Sequence, residues 1–385
     1  MPPVSHPTTS RFRRTSGALP APARALLVVA LLYLFLVGVS LLEGGIKAMG
    51  ENVQESLFSS VSNPLAGLFV GTLATVLAQS SSVTTATIVG LVGTGLLGVS
   101  DAVPMVMGAN IGTTVTNTLA SLGHLRRPQE FKPAFAAATV HDFFNVLSVG
   151  ILLPLELLTG LLSESAEWLS NRLIGSGGAT YESPFKAIVK EPAGWVQDAW
   201  ESLGPEGTFL GVLLLATGLA AIFLALGFIT RNMRLLVADR VERSINTMLS
   251  RGGGVPAILL GVVITVAVQS SSITTSILIP LAASGVLTLS STYPVTLGAN
   301  VGTTITALLA SLATNRPEAL TVALVHTLFN IAGILIFYPV PAMRRIPIRL
   351  AEGMSELAVK RRGTVVGYML ATFILIPALG VIVLR

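Results

Sequence analysis

Long apolar runs separated by short polar segments dominate the chain from residue 25 onward. The hydrocarbon core of a bilayer is about 30 Å thick, and a helix needs about 20 apolar residues to cross it. The pattern therefore predicts an all-α polytopic membrane protein. The predicted crossing helices are residues 25–42, 104–122, 135–158, 209–229, 291–312, 319–340 and 364–384.

Two further apolar runs are too short to cross, and both end in the same polar string. Residues 64–78 are followed by Gln-Ser-Ser-Ser at 79–82, and residues 256–268 are followed by Gln-Ser-Ser-Ser at 269–272. As a helix, each run would be only about 20 Å long. This predicts re-entrant hairpins that unwind at residues 79–82 and 269–272 and return to the side from which they came.

The two hairpins belong to an internal duplication. A Gly-Ala-Asn-x-Gly-Thr-Thr string at 108–114 recurs at 298–304, at the same offset as the Gln-Ser-Ser-Ser strings. Aligned without a gap, residues 79–122 and 269–312 are identical at 22 of 44 positions. The predicted transmembrane repeats are residues 25–160 and 207–340.

Charge in the connecting segments predicts the orientation, because Lys and Arg are retained on the cytoplasmic side. Residues 1–24 carry four Arg and no acid, which is typical of a disordered cytoplasmic tail. Residues 341–363 carry six basic and two acidic residues, which predicts a basic cytoplasmic loop before a C-terminal transmembrane helix at 364–385. Residues 161–206 carry three basic and seven acidic residues and are predicted to be an extracytoplasmic loop. With these assignments the N-terminus is cytoplasmic, and the hairpins enter from opposite sides, so the repeats have inverted topology.

Two amphipathic segments, residues 43–63 and 230–253, precede the hairpins at matching places. An amphipathic helix can lie in the membrane interface with its apolar face among the lipids. We predict an interfacial helix in each segment.

The chemistry of the two Gln-Ser-Ser-Ser strings favours an anion. Secondary transporters with inverted repeats and broken helices bind substrate near the midplane, where the interrupted segments face each other. Serine supplies a hydroxyl and a free N–H, glutamine supplies an amide donor, and the helix expected after Ser82 or Ser272 presents the positive end of its dipole. Phosphate binds at such helix ends. The predicted phosphate-binding residues are Gln79, Ser80, Ser81, Ser82, Gln269, Ser270, Ser271 and Ser272.

The scarcity of charge around these strings predicts that cations accompany the anion. Residues 254–312 contain no charged side chain, and residues 64–122 contain only Asp101. Hydroxyls and dipoles alone would leave a divalent oxyanion under-compensated in a medium of low dielectric constant. Na⁺ is a hard cation that takes oxygen ligands. The side chains expected to supply them are Gln79, Asn110, Thr113, Thr116, Gln269, Asn300, Thr303 and Thr306.

Parts of the same pattern also fit a structural role. Small residues are common where membrane helices touch, so one Gly-Ala-Asn-x-Gly-Thr-Thr string is equally compatible with packing. Two copies behind two breaks favour a site. Asp142 is interpreted either as a ligand for a cation or a proton, or as a hydrogen-bonded tie between the repeats. Near it we expect a structural network of His141, Asn145, His326 and Asn330.

Composition narrows the functional classes. Hydrophobic residues make up 52% and charged residues 11% of the chain, and there is no cysteine for a disulfide or a thiolate. The net charge of +5 comes from basic residues beside apolar runs, so it does not indicate nucleic acid. An intramembrane enzyme with a serine nucleophile and His141 as base is disfavoured, because there is no G-x-S-x-G elbow and Asp142 points about 100° away from His141 on a helix. We expect no enzyme and no cofactor, with Na⁺ as coupling ion.

Together, the paired QSSS strings, GANIGTTVTNT, GANVGTTITAL, ATVHDFFN and FNIAGILIFYPVP resemble the type II sodium-dependent phosphate cotransporter family, over residues 64–160 and 254–345. The resemblance implies that inorganic phosphate is carried inward with Na⁺ and that both QSSS strings line the substrate site. It implies that Asp142 lies near another ion. It also implies a sodium site formed by Gln269, Ser270, Ser271, Thr303 and Thr306.

The chain also departs from the animal members of that family. It has a short loop between the repeats, with neither cysteine nor Asn-x-Ser/Thr sequon, which fits a bacterial inner membrane better. The expected function is secondary active symport by alternating access, with phosphate, Na⁺ and the lipid bilayer as partners; a homo-oligomer is left open. The alternatives are another small anion, namely arsenate, sulfate or a carboxylate, and the intramembrane serine enzyme.

Overall fold

The computed structural model describes residues 20–49, 63–174, 184–249 and 254–384. The side chains of residues 21, 184–187 and 234–249 are outside this description. The described residues form helices joined by short turns, with no strand, which confirms the all-α class. The predicted tail lies outside the description up to residue 19, and the first helix begins at Ala21, inside the segment predicted to be disordered.

The first repeat contains a broken-helix hairpin followed by two longer segments. The hairpin is α2 and α3, the next segment is α4 continued by the short α5, and the long α6 follows a 3₁₀ turn at Leu122–His124. The predicted crossing helix at 104–122 is thus interrupted at Thr114. The helices are α1 (Ala21–Ala48), α2 (Pro64–Ala78), α3 (Ser81–Thr94), α4 (Val99–Thr113), α5 (Val115–Ser121) and α6 (Pro128–Thr159).

The second repeat follows the same order of elements. Its hairpin is α10 and α11, followed by the continuous α12 and then α13. The helices from residue 161 to the end of the repeat are α7 (Leu161–Ile174), α8 (Pro184–Glu201), α9 (Gly207–Leu249), α10 (Val255–Val268), α11 (Ser271–Ala283), α12 (Leu289–Ser311) and α13 (Pro317–Phe337).

Two segments that we predicted as loops are largely helical. Residues 161–206 contain α7 and α8, and residues 341–363 contain α14 (Pro341–Lys360). Their polar residues lie on one face of each helix, so a polar composition did not imply irregular structure. An ion pair of 2.9 Å between Lys132 and Glu356 ties α14 to α6, and this hydrogen bond holds the pKa of Glu356 below its usual range.

Neither predicted interfacial helix is seen as a separate element. Residues 43–48 belong to α1, and residues 230–249 continue α9. The remainder of both segments, residues 50–62 and 250–253, lies outside the described residues.

Within the part of the chain that the structure describes, five helices are long and apolar enough to cross a membrane by length and composition, and the hairpin helices of 13 to 15 residues are not. The 23 residues of α12 suffice in length, at about 35 Å, but α12 is less apolar and is not among the five. The candidate spans are Pro22–Ala48, Pro128–Thr159, Gly207–Met233, Pro317–Phe337 and Gly363–Leu384. The last comprises α15 (Gly363–Leu370), a π-helical turn (Ala371–Leu375) and α16 (Ile376–Leu384).

Glycines bring the hairpin helices and their neighbours into close contact. A Cβ atom added to Gly108 of α4 would lie 1.9 Å from the carbonyl oxygen of Leu68, and one added to Gly298 of α12 would lie 1.9 Å from that of Ile258. Such small residues allow helix backbones to approach closely in a membrane. The glycines of the two Gly-Ala-Asn strings therefore serve packing, which holds each break beside the helix that follows its hairpin.

Candidate functional site

Each hairpin is broken by one glutamine in the left-handed conformation. Gln79 has φ 52° and ψ 25°, and Gln269 has φ 56° and ψ 30°. They are the two non-glycine residues with positive φ in the described ranges. Such a backbone is strained for a residue with a Cβ, and strained residues cluster at functional sites.

The breaks are shorter than predicted. We expected residues 79–82 and 269–272 to be unwound, but the helices resume at Ser81 and Ser271. The hydroxyls of Ser80 and Ser270 act as N-caps and accept hydrogen bonds from the N–H groups of residues 83 and 273, both at 3.3 Å. The caps satisfy one of the free N–H groups at each helix start, so the N–H groups of Ser81 and Ser271 remain suited to an anion.

The glutamine side chains are oriented differently from the prediction. The Nε2 atoms of Gln79 and Gln269 donate to the carbonyl oxygens of Val76 and Val266, at 2.6 and 2.7 Å. One of the two N–H groups of each amide is therefore used at the end of the preceding helix. The exposed end is the Oε1 atom, an acceptor, and this suits a cation better than an anion.

Thr306 connects the two strings. Its hydroxyl lies 3.1 Å from Oε1 of Gln269 and 3.4 Å from Oγ of Ser82, and it is buried. In the first repeat the equivalent Thr116 lies 3.4 Å from Oε1 of Gln79. The structure thus brings the second string and the end of the first to a single threonine.

The predicted network of histidines and asparagines joins the repeats. His141 pairs through Nε2 with Oδ1 of Asn300, and His326 pairs through Nε2 with Oδ1 of Asn110 at 3.4 Å. Each histidine thus contacts the Gly-Ala-Asn string of the other repeat. Asn145 accepts a hydrogen bond of 2.7 Å from Nδ2 of Asn300 and donates to the carbonyl oxygen of Asn110.

Asn330, the counterpart of Asn145, turns inward to its own helix. Its Nδ2 donates to the carbonyl oxygen of His326 at 2.9 Å. The pseudo-symmetry of the network is therefore incomplete, because only Asn145 contacts both Gly-Ala-Asn strings.

Asn117 is a part of this centre that the sequence analysis missed. Its Oδ1 accepts a hydrogen bond of 2.7 Å from Thr275 of α11, and its Nδ2 lies 3.2 Å from Nδ1 of His141. Because Nδ2 can only donate, the neutral His141 ring carries its proton on Nε2 and donates it to Asn300. The available signal was the polar residue at a position where the second repeat has Ala307.

The predicted sodium ligands on α4 and α12 differ in their surroundings. Both side-chain polar atoms of Asn300 are paired, as just described, and the Thr113 hydroxyl donates to the carbonyl oxygen of Ala109 at 3.0 Å. The Thr303 hydroxyl and Nδ2 of Asn110 are buried and have no hydrogen-bond partner within the described residues. A buried hydroxyl without a partner is costly, so the arrangement favours Thr303 as an ion ligand.

Asp142 is a buried carboxylate with one free oxygen. It is 1% exposed, and its Oδ2 accepts hydrogen bonds from Thr118 at 3.2 Å and from the hydroxyl of Tyr368 at 2.8 Å. Its Oδ1 makes no hydrogen bond within the described residues, where no group of three or more His, Cys, Asp or Glu residues could hold a metal ion either. A cation at this depth would therefore rely on one carboxylate and neutral oxygens.

The fold and the two broken helices define a polytopic membrane protein built around paired half-helices, the architecture of secondary transporters. The profile of the Na⁺/Pi-cotransporter family matches residues 34–158 and 214–350. The chain belongs to that family.

Curated relatives agree with this assignment. The chain is 34% identical over 425 residues to the sheep (Ovis aries) sodium-dependent phosphate transport protein 2A and 35% identical over 423 residues to the rat (Rattus norvegicus) protein 2A. Each alignment covers 92% of this chain and 66% of the relative. It is 33% identical over 446 residues to the human protein 2B, covering 92% of this chain and 64% of that protein. No solved structure gives a significant match.

Proposed function

We propose that the chain is a secondary active symporter that couples inward movement of Na⁺ to uptake of inorganic phosphate by alternating access. The observation that carries the proposal is the meeting of two broken helices at Thr306, which contacts Ser82 of one repeat and Gln269 of the other. The family assignment and the names of the relatives, sodium-dependent phosphate transport proteins, support the same ligands.

The anion is bound by the two helix starts. The hydroxyls and N–H groups at Ser81, Ser82, Ser271 and Ser272 supply donors and the positive ends of two helix dipoles. No arginine clamp lies in either hairpin. Binding therefore depends on cations that offset the anion's charge in the low-dielectric interior.

The cations are bound by oxygens beside the anion. Oε1 of Gln269 and the hydroxyl of Thr306 lie 3.1 Å apart, and Thr303, three residues before Thr306, has a buried hydroxyl without a partner within the described residues. The resemblance adds Ser270 and Ser271 to this set. The free oxygen of Asp142 is a second position. Neutral oxygens bind Na⁺ weakly enough to release it, as transport requires.

Alternating access is supported by an asymmetry between the two breaks. Gln79 is exposed, whereas its counterpart Gln269 is half-buried, and Thr116 is less buried than Thr306. In a transporter of this design, one repeat rocks against the other around a fixed site. A difference in exposure between the two breaks is expected of a single state of that cycle.

An intramembrane enzyme with a serine nucleophile is the weaker interpretation. Both ring nitrogens of His141 are engaged, with Asn117 and Asn300, so that His141 contacts no serine within the described residues. A nucleophilic serine needs a base within hydrogen-bond reach.

The test is Na⁺-driven uptake of ³²P-phosphate into proteoliposomes at clamped membrane potential, compared with uptake driven by a K⁺ gradient. We expect ³²P-phosphate to accumulate with the Na⁺ gradient and not with the K⁺ gradient. Counterflow with unlabelled sulfate, arsenate or a carboxylate identifies the anion, and equal displacement by sulfate would overturn phosphate as the substrate.

Single variants Ser81→Ala and Ser271→Ala separate transport from catalysis. A shared transport site predicts that both lose uptake. A single catalytic nucleophile predicts a complete loss in one variant and little change in the other.

In the cell, we propose that the protein resides in a bacterial inner membrane with a cytoplasmic N-terminus. The segment between the repeats lacks the cysteines and sequons of a processed extracellular loop, and the loop charges support the orientation.

A further inference from the structure

The C-terminal segment reaches the buried carboxylate of the first repeat. Tyr368 lies in α15, beyond residue 350, where the family match ends. Its hydroxyl donates a hydrogen bond of 2.8 Å to Oδ2 of Asp142. The other oxygen of that carboxylate, Oδ1, is buried and unpartnered within the described residues. Within the described residues, Oδ2 thus has two hydrogen-bond donors and Oδ1 has none.

The Tyr368 ring is fixed by aromatic contacts. Phe135 and Phe373 meet it edge to face, with ring centroids 6.4 and 6.3 Å away, and Phe143 lies tilted at 6.3 Å. Phe135 and Phe143 belong to α6, the helix that carries Asp142. A ring held in this way keeps its hydroxyl in one position, so the packing of the ring maintains the hydrogen bond to Asp142.

The local helix geometry also serves this contact. Phe373 lies in the π-helical turn that directly follows α15, and Pro377 lies four residues beyond it. Pro377 has no N–H to donate to the carbonyl of residue 373, and its ring pushes against that carbonyl, which explains the wider turn. Phe373 is 1% exposed in the turn and packs against Tyr368.

We propose that Tyr368 is a positioning residue that holds the Asp142 carboxylate for a coupling cation, so that the C-terminal helix takes part in ion coupling. This inference rests on the proposed function. By donating to Oδ2, together with Thr118, the hydroxyl stabilises the ionised carboxylate and presents Oδ1 to the ion. The second repeat has no equivalent, since Thr327 and Leu308 stand at the positions of Asp142 and Thr118.

The experiment compares Tyr368→Phe with a matched control, Tyr293→Phe, in proteoliposomes. Tyr293 is fully buried, and its hydroxyl has no hydrogen-bond partner in the described part of the chain. Both changes remove one hydroxyl from an aromatic ring; Tyr368 is half-buried and Tyr293 is fully buried. Phosphate uptake is measured over a range of Na⁺ concentrations, and then over a range of phosphate concentrations at saturating Na⁺.

For Tyr368→Phe we expect the Na⁺ concentration for half-maximal uptake to rise about tenfold, the order expected when a charged group loses one hydrogen bond. The half-saturating phosphate concentration at saturating Na⁺ should stay within about twofold. Tyr293→Phe should match the parent protein in both measurements. Thr118→Val, which removes the other donor to Oδ2, should shift the Na⁺ dependence in the same direction.

Provided that the parent protein shows Na⁺-driven uptake, two results for Tyr368→Phe would overturn the positioning role. One is an unchanged Na⁺ dependence of uptake, and the other is a lower maximal rate of uptake with no other change. Uptake without Na⁺ dependence in the parent protein overturns the proposed function instead. If Tyr368→Phe gives too little folded protein, the thermal stabilisation of purified Thr118→Val by Na⁺ is measured instead. A Na⁺ concentration for half-maximal stabilisation equal to that of the parent protein refutes the inference.

Discussion

At the scale of single residues, the breaks show how one side chain serves two purposes. The amide nitrogen of each glutamine donates to the helix that ends there, and the oxygen then faces a threonine beyond the hairpin of the same repeat, Thr116 in α5 or Thr306 in α12. A glutamate would repel the carbonyl that it must cap, and an alanine would leave that carbonyl open. The residue type at the break follows from these two requirements.

Thr306 should matter more than its counterpart Thr116, because only Thr306 connects both strings. We expect Thr306→Val to raise the half-activating Na⁺ concentration about tenfold or more, the order expected from losing a buried hydrogen bond and an ion ligand. Thr116→Val should have a smaller effect. Uptake against Na⁺ concentration measures both, and equal effects would contradict the bridging role of Thr306.

Asn117 should contribute to stability as well as to the site. Asn117→Ala leaves the Thr275 hydroxyl and Nδ1 of His141 without their partners in the buried centre. Unpaired buried polar groups cost about 1–3 kcal/mol each. We therefore expect a lower unfolding temperature of the purified protein in detergent. Ala307→Gly, at the equivalent buried position of the second repeat, controls for the loss of a small packed side chain.

At the scale of helices, the glycines decide how closely each hairpin can lie against the next helix. The length of the apolar runs predicted both hairpins and their breaks, because too few apolar residues preceded each polar string. Run length did not predict that the break is confined to Gln79 and Ser80, since the N-cap role of Ser80 becomes visible only when the backbone is known. It also did not predict α7, α8 and α14, whose polar faces resembled loops.

Gly108→Ala and Gly298→Ala should both prevent normal assembly, because the added Cβ would lie 1.9 Å from a backbone carbonyl oxygen that cannot move alone. We expect a large loss of monodisperse protein in size-exclusion chromatography. Gly150→Ala is the matched control, since nothing lies within 4 Å of a Cβ added there. A normal yield for Gly108→Ala would show that α2 and α4 can separate without cost.

At the scale of the whole molecule, the site exists only because the two repeats meet. The sequence duplication predicted both halves, and the histidines and asparagines were predicted to form a network, but neither indicated which atoms would pair across the repeats. The duplication could not predict the contact of Tyr368 with Asp142, because Tyr368 lies in a helix that belongs to neither repeat. Contacts between unique segments depend on tertiary packing, for which one sequence carries no periodic signal.

Inverted topology predicts that equivalent residues of the two repeats face opposite sides of the membrane. Ser100 and Ser290 are both exposed and stand at equivalent positions, at the starts of α4 and α12. The chain has no native cysteine, so single variants Ser100→Cys and Ser290→Cys can be labelled without background.

In intact cells treated with a membrane-impermeant maleimide, Ser100→Cys should react from outside. Ser290→Cys should react only after the membrane is opened, because loop charges place the second hairpin's entry in the cytoplasm. A parent chain without cysteine sets the baseline, and denatured samples confirm that both thiols are reactive. Labelling of both variants from the same side would refute the inverted arrangement, and with it the rocking of one repeat against the other.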